Sequence, residues 1–149
     1  MASEHTFNHD LCRRLRDAGL YVWKINDNYE GGVPDIFIAG TEGRTMFVEC
    51  KYIHELPKRD STPVIPALSD QQWYWLTSRS LQGVRVSVIM GIGKQAAIFD
   101  DSSEWKTGVP SGVLKDRLLS KAAIVDWIIQ TTAPKQECPH DHHTNPAHA

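Results

Sequence analysis

The segment from residue 45 to residue 53 constrains the fold of this chain more than any other. Alternate residues of a β-strand point to opposite faces of a sheet, and this segment alternates in that way. One face carries Phe47, Glu49 and Lys51, followed by Ile53. The other carries residues suited to a core: Met46, Val48, Cys50 and Tyr52. The pattern therefore predicts a strand, with Cys50 as a small buried hydrophobe rather than a reactive thiol.

Hydrophobic spacing and turn residues predict the elements around this strand. Apolar residues at steps of three and four indicate a helix over 3–18 that ends at Gly19. Strands are expected over 20–25, 33–39, 84–92 and 95–99, and a helix over 69–82 begins with a capping box of Ser69 and Gln72. Residues 54–68 contain three prolines and predict a long loop, and 100–112 predict another. A last amphipathic helix is marked by Leu114, Leu118, Ala122, Val125 and Ile129.

The predicted order, α-β-β-β-α-β-β-α, is typical of an α/β domain in which helices flank a mixed β-sheet. A length of 149 residues suits one domain, expected over residues 1–131. Residues 132–149 have little apolar content and predict a disordered, His-rich tail. The tail could bind zinc through Cys138 and its histidines, but their spacing lacks an ordered finger pattern, which favours a flexible segment.

Composition excludes several classes of protein. A net charge of -2 argues against a histone-like nucleic-acid binder, although it does not exclude an enzyme with a local basic patch. The three cysteines are far apart and form no CxxC pair, which favours a reducing compartment such as the cytoplasm. The polar N-terminus lacks a signal sequence, and no apolar run approaches the ~20 residues of a membrane span. We therefore expect no membrane association.

A second acidic motif, Pro34-Asp35, precedes Glu49-Cys50-Lys51 by thirteen residues. Proline has no backbone donor, so Pro34 belongs at the start or edge of a strand. If the two strands pair antiparallel so that opposed residue numbers add to an even total, Asp35 shares a face with Glu49 and Lys51. Directly opposed side chains then begin ~5 Å apart at Cβ, which is close enough for two carboxylates to share one cation.

This combination is typical of metal-dependent cleavage of phosphodiesters. Mg²⁺ prefers oxygen ligands, and Asp35, Glu49 and the backbone carbonyl of Cys50 would provide them. Lys51 could position water or stabilise charge on a phosphate. A chance match is the alternative, with Glu49 and Lys51 on a solvated strand face. The two motifs fall in register on consecutive predicted strands, and a Gly-Gly loop precedes them. This arrangement favours the functional interpretation.

Four strings together resemble the PD-(D/E)XK nuclease superfamily: 23–27, 32–36, 47–51, and Gln72 before Trp75-Leu76. They are closest in character to the VRR-NUC-like and small phage nuclease branch, and similar to Holliday-junction resolvases of comparable size. The resemblance covers about residues 3–92. It implies a restriction-endonuclease-like fold, and a site in which Asp35 and Glu49 bind Mg²⁺ or Mn²⁺ while Lys51 serves the water.

The resemblance also suggests supporting residues. An acidic residue of the first helix often joins the metal site, and Glu4 matches that position, with Asp10 as a rival. Gln72 matches a glutamine that supports the site or the DNA backbone, although it could instead only close the capping box. Nucleic-acid contacts are expected from Lys24, Lys58 and Arg59, the last two in the long loop, and more weakly from Arg79 and Arg85.

The expected function is a Mg²⁺-dependent deoxyribonuclease, and within that class a structure-selective endonuclease for branched, flapped or single-stranded DNA. DNA repair, recombination or phage DNA processing would be its setting, and cutting two strands of a junction would favour a homodimer. One alternative is a noncatalytic nucleic-acid-binding module on a nuclease fold. The other is a small structural phage or mobile-element protein with a fortuitous motif.

Trp73, Tyr74 and Trp75 cannot all face a core, so an exposed ring could stack on an unpaired base, although packing or a dimer contact is the more ordinary role.

Overall fold

The strand predicted over residues 45–53 lies inside a six-stranded sheet. A computed structural model describes residues 2–26 and 29–134 of the chain. The strands are β1 (Tyr21–Lys24), β2 (Ile36–Ala39), β3 (Thr45–Ile53), β4 (Pro63–Val64), β5 (Val86–Ile92), β6 (Gln95–Phe99), β7 (Val109–Pro110) and β8 (Leu119–Ser120). The helices are α1 (Glu4–Asp17), α2 (Asp70–Leu81), α3 (Glu104–Thr107), α4 (Ser111–Arg117) and α5 (Lys121–Thr132).

The main sheet has the order β1-β2-β3-β5-β6-β8, and β4 and β7 form a separate two-stranded ribbon. Strand β3 pairs antiparallel with β2 and parallel with β5, and the remaining pairs of the main sheet are antiparallel. Helix α2 connects the two parallel strands, as a parallel pair requires a long crossover. The predicted mixed β-sheet flanked by helices is therefore confirmed.

Helices cover both faces of the sheet, and the alternation of β3 separates two cores. Met46, Val48 and Cys50 pack in the first core, on the side of α1 and α5. Phe47 and Ile53 contact the second core, which includes residues of α2, α3 and α4. Cys50 is fully buried, as predicted, and burial raises the pKa of its thiol. The face that carries Glu49 and Lys51 is thus not a solvated strand face.

The C-terminal region differs from the prediction of one helix marked by Leu114 to Ile129. Helix α4 ends at Arg117, Leu118 is extended, and β8 pairs with the edge of β6. The Ser120 side chain accepts a hydrogen bond from the Ala123 backbone N–H at 3.1 Å and starts α5. The single-helix prediction was wrong because a serine cap and the strand hydrogen bonds offered by β6 outweigh a continuous apolar stripe.

Two further segments are more structured than the sequence indicated. The predicted loop over 100–112 contains α3 and β7. Thr132, expected to begin the tail, is the buried last residue of α5, and its hydroxyl donates to the Ile128 carbonyl at 2.9 Å. Residues 135–149, with the His-rich sequence, lie outside the described part of the chain.

The long loop over 54–68 forms hydrogen bonds with α4 and β7 at several points along its length. The Ser111 hydroxyl donates to the Pro57 carbonyl at 2.7 Å, and the backbone N–H of Ser111 donates to the Thr62 carbonyl at 2.8 Å. The N–H of Gly112 donates to the Asp60 carbonyl at 2.9 Å, and β4 pairs with β7. Hydrogen bonds and strand pairing therefore join the loop to α4 and β7.

Across residues 2–26 and 29–134, no helix is both long and apolar enough to cross a bilayer.

Replacing Ser120 by alanine tests the break between α4 and α5. Ser120→Ala removes the cap of α5, and we expect the free energy of unfolding to fall by about 1 kcal/mol. Within one continuous helix, alanine would instead be neutral or stabilising. Urea unfolding measures the difference, and Ser80→Ala at an exposed position of α2 is the control, with a change of no more than about 0.5 kcal/mol. A stabilised Ser120→Ala variant would contradict the observed break.

Candidate active site

The backbone brings Asp35 to Glu49 through the register of β2 and β3. Ile36 lies opposite Val48, so opposed residue numbers add to an even total, which is the register that places Asp35 on the face of Glu49. Asp35 directly precedes β2, and its carbonyl accepts a hydrogen bond from the Ile25 N–H at 2.8 Å. Its carboxylate accepts another from the backbone N–H of Cys50, also at 2.8 Å. Asp35 is therefore held from both neighbouring strands.

Glu4 completes a cluster of three carboxylates. One oxygen from each of Glu4, Asp35 and Glu49 lies within 4.8 Å of the others. Glu4 is exposed in the first turn of α1, which starts at a capping box of Ser3 and Thr6. Glu49 is only 1% exposed. The cluster thus joins a buried group of the sheet to an accessible group of a helix end, and a substrate could approach from the side of Glu4.

Asp10, the rival of Glu4, is occupied elsewhere. Its carboxylate pairs with Arg13 at 2.7 Å and with Arg14 and Lys121 at 3.0 Å each. Partial burial alone would raise the pKa of Asp10, but hydrogen bonds from these three cations outweigh it and hold the pKa well below its ordinary value. The carboxylate cluster includes Glu4 and not Asp10.

Gln72 connects the start of α2 to the site. The side-chain oxygen of Gln72 accepts a hydrogen bond from the Ser69 backbone N–H at 2.9 Å, and the backbone N–H of Gln72 donates to the Ser69 hydroxyl. The predicted capping box is therefore present. The same oxygen accepts from the Lys51 ammonium at 3.2 Å, and the Gln72 amide donates to Glu49 Oε1 at 3.0 Å. Gln72 therefore closes the capping box of α2 and also contacts Glu49 and Lys51.

Glu49 holds a proton at neutral pH in the metal-free protein. Burial is the main cause that raises its pKa to about 9, and the nearby Asp35 carboxylate adds to the shift. Lys51, 3.8 Å away, opposes it, whereas a hydrogen bond to Asp35 and the charge of Glu4 reinforce it. One buried carboxyl that shares its surroundings with two other acids is thus kept neutral.

The donor set fits a hard divalent cation. All three side chains offer carboxylate oxygens, which Mg²⁺ and Mn²⁺ prefer, and no sulfur or imidazole joins them in the described cluster. Burial first, and then the charges of Asp35 and Glu4, disfavour the ionised form of Glu49 and raise its pKa. A cation between the three oxygens would compensate for these charges. The Cys50 carbonyl remains a predicted additional ligand.

The Gly31-Gly32 turn contacts the first turn of α2 at close range. A Cβ on Gly31 would overlap the side chain of Gln71, and one on Gly32 would overlap the Gln71 backbone carbonyl. Gly32 also has φ +89, in the left-handed region that favours glycine. The sequence showed the glycines but not their contact. They let the segment that leads to Asp35 lie directly against the helix that carries Gln72.

The structure separates the basic residues expected to contact nucleic acid. Lys58 and Arg59 are exposed on the fixed loop, and within residues 2–26 and 29–134 neither side chain forms an ion pair. Lys24 is exposed at the end of β1 and lies opposite Ile36, on the sheet face opposite to that of Glu49, and its contact with nucleic acid stays a prediction. Arg85 is engaged by Asp100 at 2.6 Å, and Arg79 lies over the Trp75 ring.

Comparison with known proteins supports the fold. No protein-family model matches the chain, and no curated protein matches its sequence. Hjc, a Holliday junction resolvase from the archaeal hyperthermophile Archaeoglobus fulgidus, is 19% identical with a TM-score of 0.56, over 81% of this chain and 98% of that chain. A VRR_NUC domain is 21% identical with a TM-score of 0.44, over 62% of this chain and 89% of its own. The chain therefore has the fold of a Holliday junction resolvase, as the sequence resemblance implied.

The pKa of Glu49 predicts an unusual dependence of stability on pH. Without metal, the folded protein keeps the Glu49 proton up to about pH 9, whereas an unfolded glutamate loses it near pH 4.5. Between these values the folded state binds more protons, so this group makes the free energy of unfolding fall as pH rises, by at most about 1.4 kcal/mol per pH unit.

Glu49→Gln mimics the protonated side chain and should remove this contribution. We expect the stability of the variant relative to the wild type to increase from pH 5.5 to pH 8.5 in the presence of a chelator, as measured by urea unfolding. Glu55→Gln, at an exposed position of the 54–68 loop, is the matched control. Parallel pH profiles for wild type and Glu49→Gln would contradict the protonated state of Glu49.

Proposed function

We propose that this protein, with its resolvase fold, is a divalent-metal-dependent deoxyribonuclease that hydrolyses phosphodiester bonds. The observation that carries the proposal is the cluster of Glu4, Asp35 and Glu49 with the Lys51 ammonium 3.8 Å from Glu49. The four groups come from α1, the residue before β2, and β3, and burial of Glu49 disfavours its charged form. The intact set of Asp35, Glu49 and Lys51 argues against a noncatalytic module.

Glu4, Asp35 and Glu49 would hold the metal ion, together with the Cys50 carbonyl. Mg²⁺ is the expected ion and Mn²⁺ its substitute. When bound, such an ion neutralises charge on a phosphate oxygen and makes a bound water more acidic. The side chains that would surround it are already in place, since the Cys50 N–H orients Asp35 and the Gln72 amide orients Glu49.

Lys51 and Gln72 have distinct parts in this proposal. The Lys51 ammonium is largely enclosed, with a side chain 12% exposed, and its position is set by the Gln72 oxygen. From there it orients the attacking water or stabilises the negative charge of the pentacoordinate transition state. Gln72 touches Glu49 and Lys51 at once, so it fixes the distance between the acidic and basic sides of the site.

DNA with a branch, a flap or a single-stranded segment is the proposed substrate, and cleavage is proposed to be endonucleolytic. The described residues form the six-stranded sheet, the β4–β7 ribbon and their helices, with no separate recognition domain among them, which suits reading of shape over reading of sequence. Lys58 and Arg59 would contact phosphates from the fixed loop. Repair, recombination or phage DNA processing in a reducing cytoplasm, with a homodimer on junctions, would be the biological setting.

Single substitutions in the cluster test the assignment. Asp35→Ala and Lys51→Ala should each lower kcat by about 10²-fold or more, because the first removes a metal ligand and the second removes the cation that serves the water and the transition state. The assay incubates purified protein with single-stranded, duplex, flapped and four-way DNA in Mg²⁺, Mn²⁺ or EDTA. Lys94→Ala, an exposed lysine in the β5–β6 turn, is the control and should keep full activity.

Two outcomes would contradict the proposal in different ways. If the wild type cleaves none of these substrates in Mn²⁺, the protein is not a deoxyribonuclease, and the noncatalytic module becomes the better interpretation. If the wild type cleaves and Asp35→Ala or Lys51→Ala cleaves equally well, the activity belongs to another site.

The loop contact to phosphates makes a separate prediction. The double variant Lys58→Ala/Arg59→Ala should weaken DNA binding at low salt, because two cations that displace counterions are lost. The slope of log K against log salt should become shallower by about 1.8 for duplex arms. Fluorescence anisotropy in EDTA measures this slope. An unchanged slope would place the phosphate contacts elsewhere, while kcat at saturating substrate is expected to stay close to that of the wild type.

A further inference from the structure

A recess lies on the same face of the main sheet as Asp35 and Glu49. It has a volume of about 370 Å³ and lies between β1, β3 and the first turns of α2. Its lining is Trp23, Ile25, Asn26, Glu30, Val33, Phe47 and Trp75. This volume is in the range of small-molecule sites, and the lining combines aromatic rings with an amide and a carboxylate. The proposed chemistry at Asp35, Glu49 and Lys51 does not use it.

Aromatic rings form a continuous surface from the sheet edge to this recess. Phe37 contacts Trp23 with centroids 6.4 Å apart and Phe47 at 5.2 Å, and Phe47 contacts Trp75 at 5.1 Å. All these pairs are edge-to-face. Trp23 is 52% exposed on the edge strand β1, and the Arg79 guanidinium lies 5.7 Å from the Trp75 ring. Trp23 therefore presents an exposed ring at the sheet edge, next to the recess.

The recess and the carboxylate cluster are neighbours, because strand β3 and helix α2 each contribute residues to both. Phe47 and Glu49 are alternate residues on one face of β3, so they are separated by about 6.6 Å along the strand. Trp75 and Gln72 are one turn apart on one face of α2, about 4.5 Å along the helix. A nucleic-acid strand with its phosphate at Glu49 and Lys51 would therefore have a neighbouring base within reach of the aromatic recess.

We propose that this recess binds an unpaired nucleobase next to the phosphodiester that is cleaved. The inference rests on the proposed function and specifies its substrate as DNA with at least one unpaired nucleotide beside the cut. Aromatic rings stack on any base, and the Asn26 amide, which can both donate and accept, suits the polar edge of a base. A base inside a duplex is held in its stack and must leave it to enter a recess, so the recess would favour flaps and branches over duplex.

Binding of DNA without cleavage tests the recess separately from catalysis. The probe is a flapped DNA with 2-aminopurine at successive positions near the junction, compared with the same strand in a full duplex, both in EDTA. For the wild-type chain, we expect the fluorescence to change at one unpaired position. Trp23→Ala should remove that signal and weaken binding of the flap about tenfold, with little effect on the duplex. Trp23→Phe should restore part of both.

Tyr74→Ala is the matched control, because Tyr74 is an aromatic residue of α2 that is 67% exposed and does not line the recess. It should bind both DNAs as the wild type does. Circular dichroism and thermal unfolding of each variant report whether it is folded, which is expected because half of the Trp23 side chain is already in solvent.

Two results would overturn the recess proposal. The first is equal binding of the flap by wild type and Trp23→Ala. The second is a uniform loss on flap and duplex together with a shift from dimer to monomer in sedimentation, which would show that the aromatic face binds a second copy of the chain. A wild type that cleaves no DNA would refute the nuclease instead, and the 2-aminopurine signal would still decide whether the recess takes a base.

Discussion

The burial of Glu49 between β3 and α2 is the constraint on which the rest of the site depends. A carboxyl that is 1% exposed cannot carry a charge without strong compensation, and its neighbours supply only part of it. Burial is the main cause that raises the pKa to about 9, Asp35 and Glu4 add to the shift, and Lys51 opposes it. In the proposed function, a metal ion at this cluster would exchange the Glu49 proton for a more effective counter-charge.

Gln72 shows how closely the site is joined to the formation of secondary structure. One side-chain oxygen accepts hydrogen bonds from the first backbone donor of α2 and from Lys51, while the amide holds Glu49. The geometry of the site is therefore tied to the exact start of the helix. Loss of Gln72 would disturb the helix cap and the site together, so the effect of such a variant on activity would not isolate a catalytic role.

The aromatic recess would give the proposed selectivity for branched or flapped DNA a physical basis. Affinity from phosphate contacts does not distinguish branched DNA from duplex, and the net charge of -2 leaves little general attraction to DNA. A recess that accepts only unstacked bases would add the distinction at the site itself. It would also explain why β1, an edge strand, exposes Trp23 and Tyr21 on the side of the carboxylates.

Local features of the sequence predicted much of this structure because they act over a few residues. Alternation determined β3 and the opposite orientations of Glu49 and Cys50, and the capping box of Ser69 and Gln72 marked the start of α2. The hairpin of β5 and β6 followed from strand patterns on either side of Gly93. The same reasoning failed at Leu118 to Ser120, where a helical stripe is interrupted by hydrogen bonds from a strand more than twenty residues earlier.

Only the tertiary structure decided which distant groups meet. The sequence by itself determined that Asp35, Glu49 and Lys51 could share one face, given one register of two strands. It did not determine that Glu4 rather than Asp10 joins them, because that choice depends on where α1 lies and on the ion pairs that Lys121 of α5 provides. Nor did it reveal the recess formed by Trp23, Phe47 and Trp75. The physical reason is that side-chain periodicity fixes directions within an element, whereas contacts between elements arise from the packing of all of them at once.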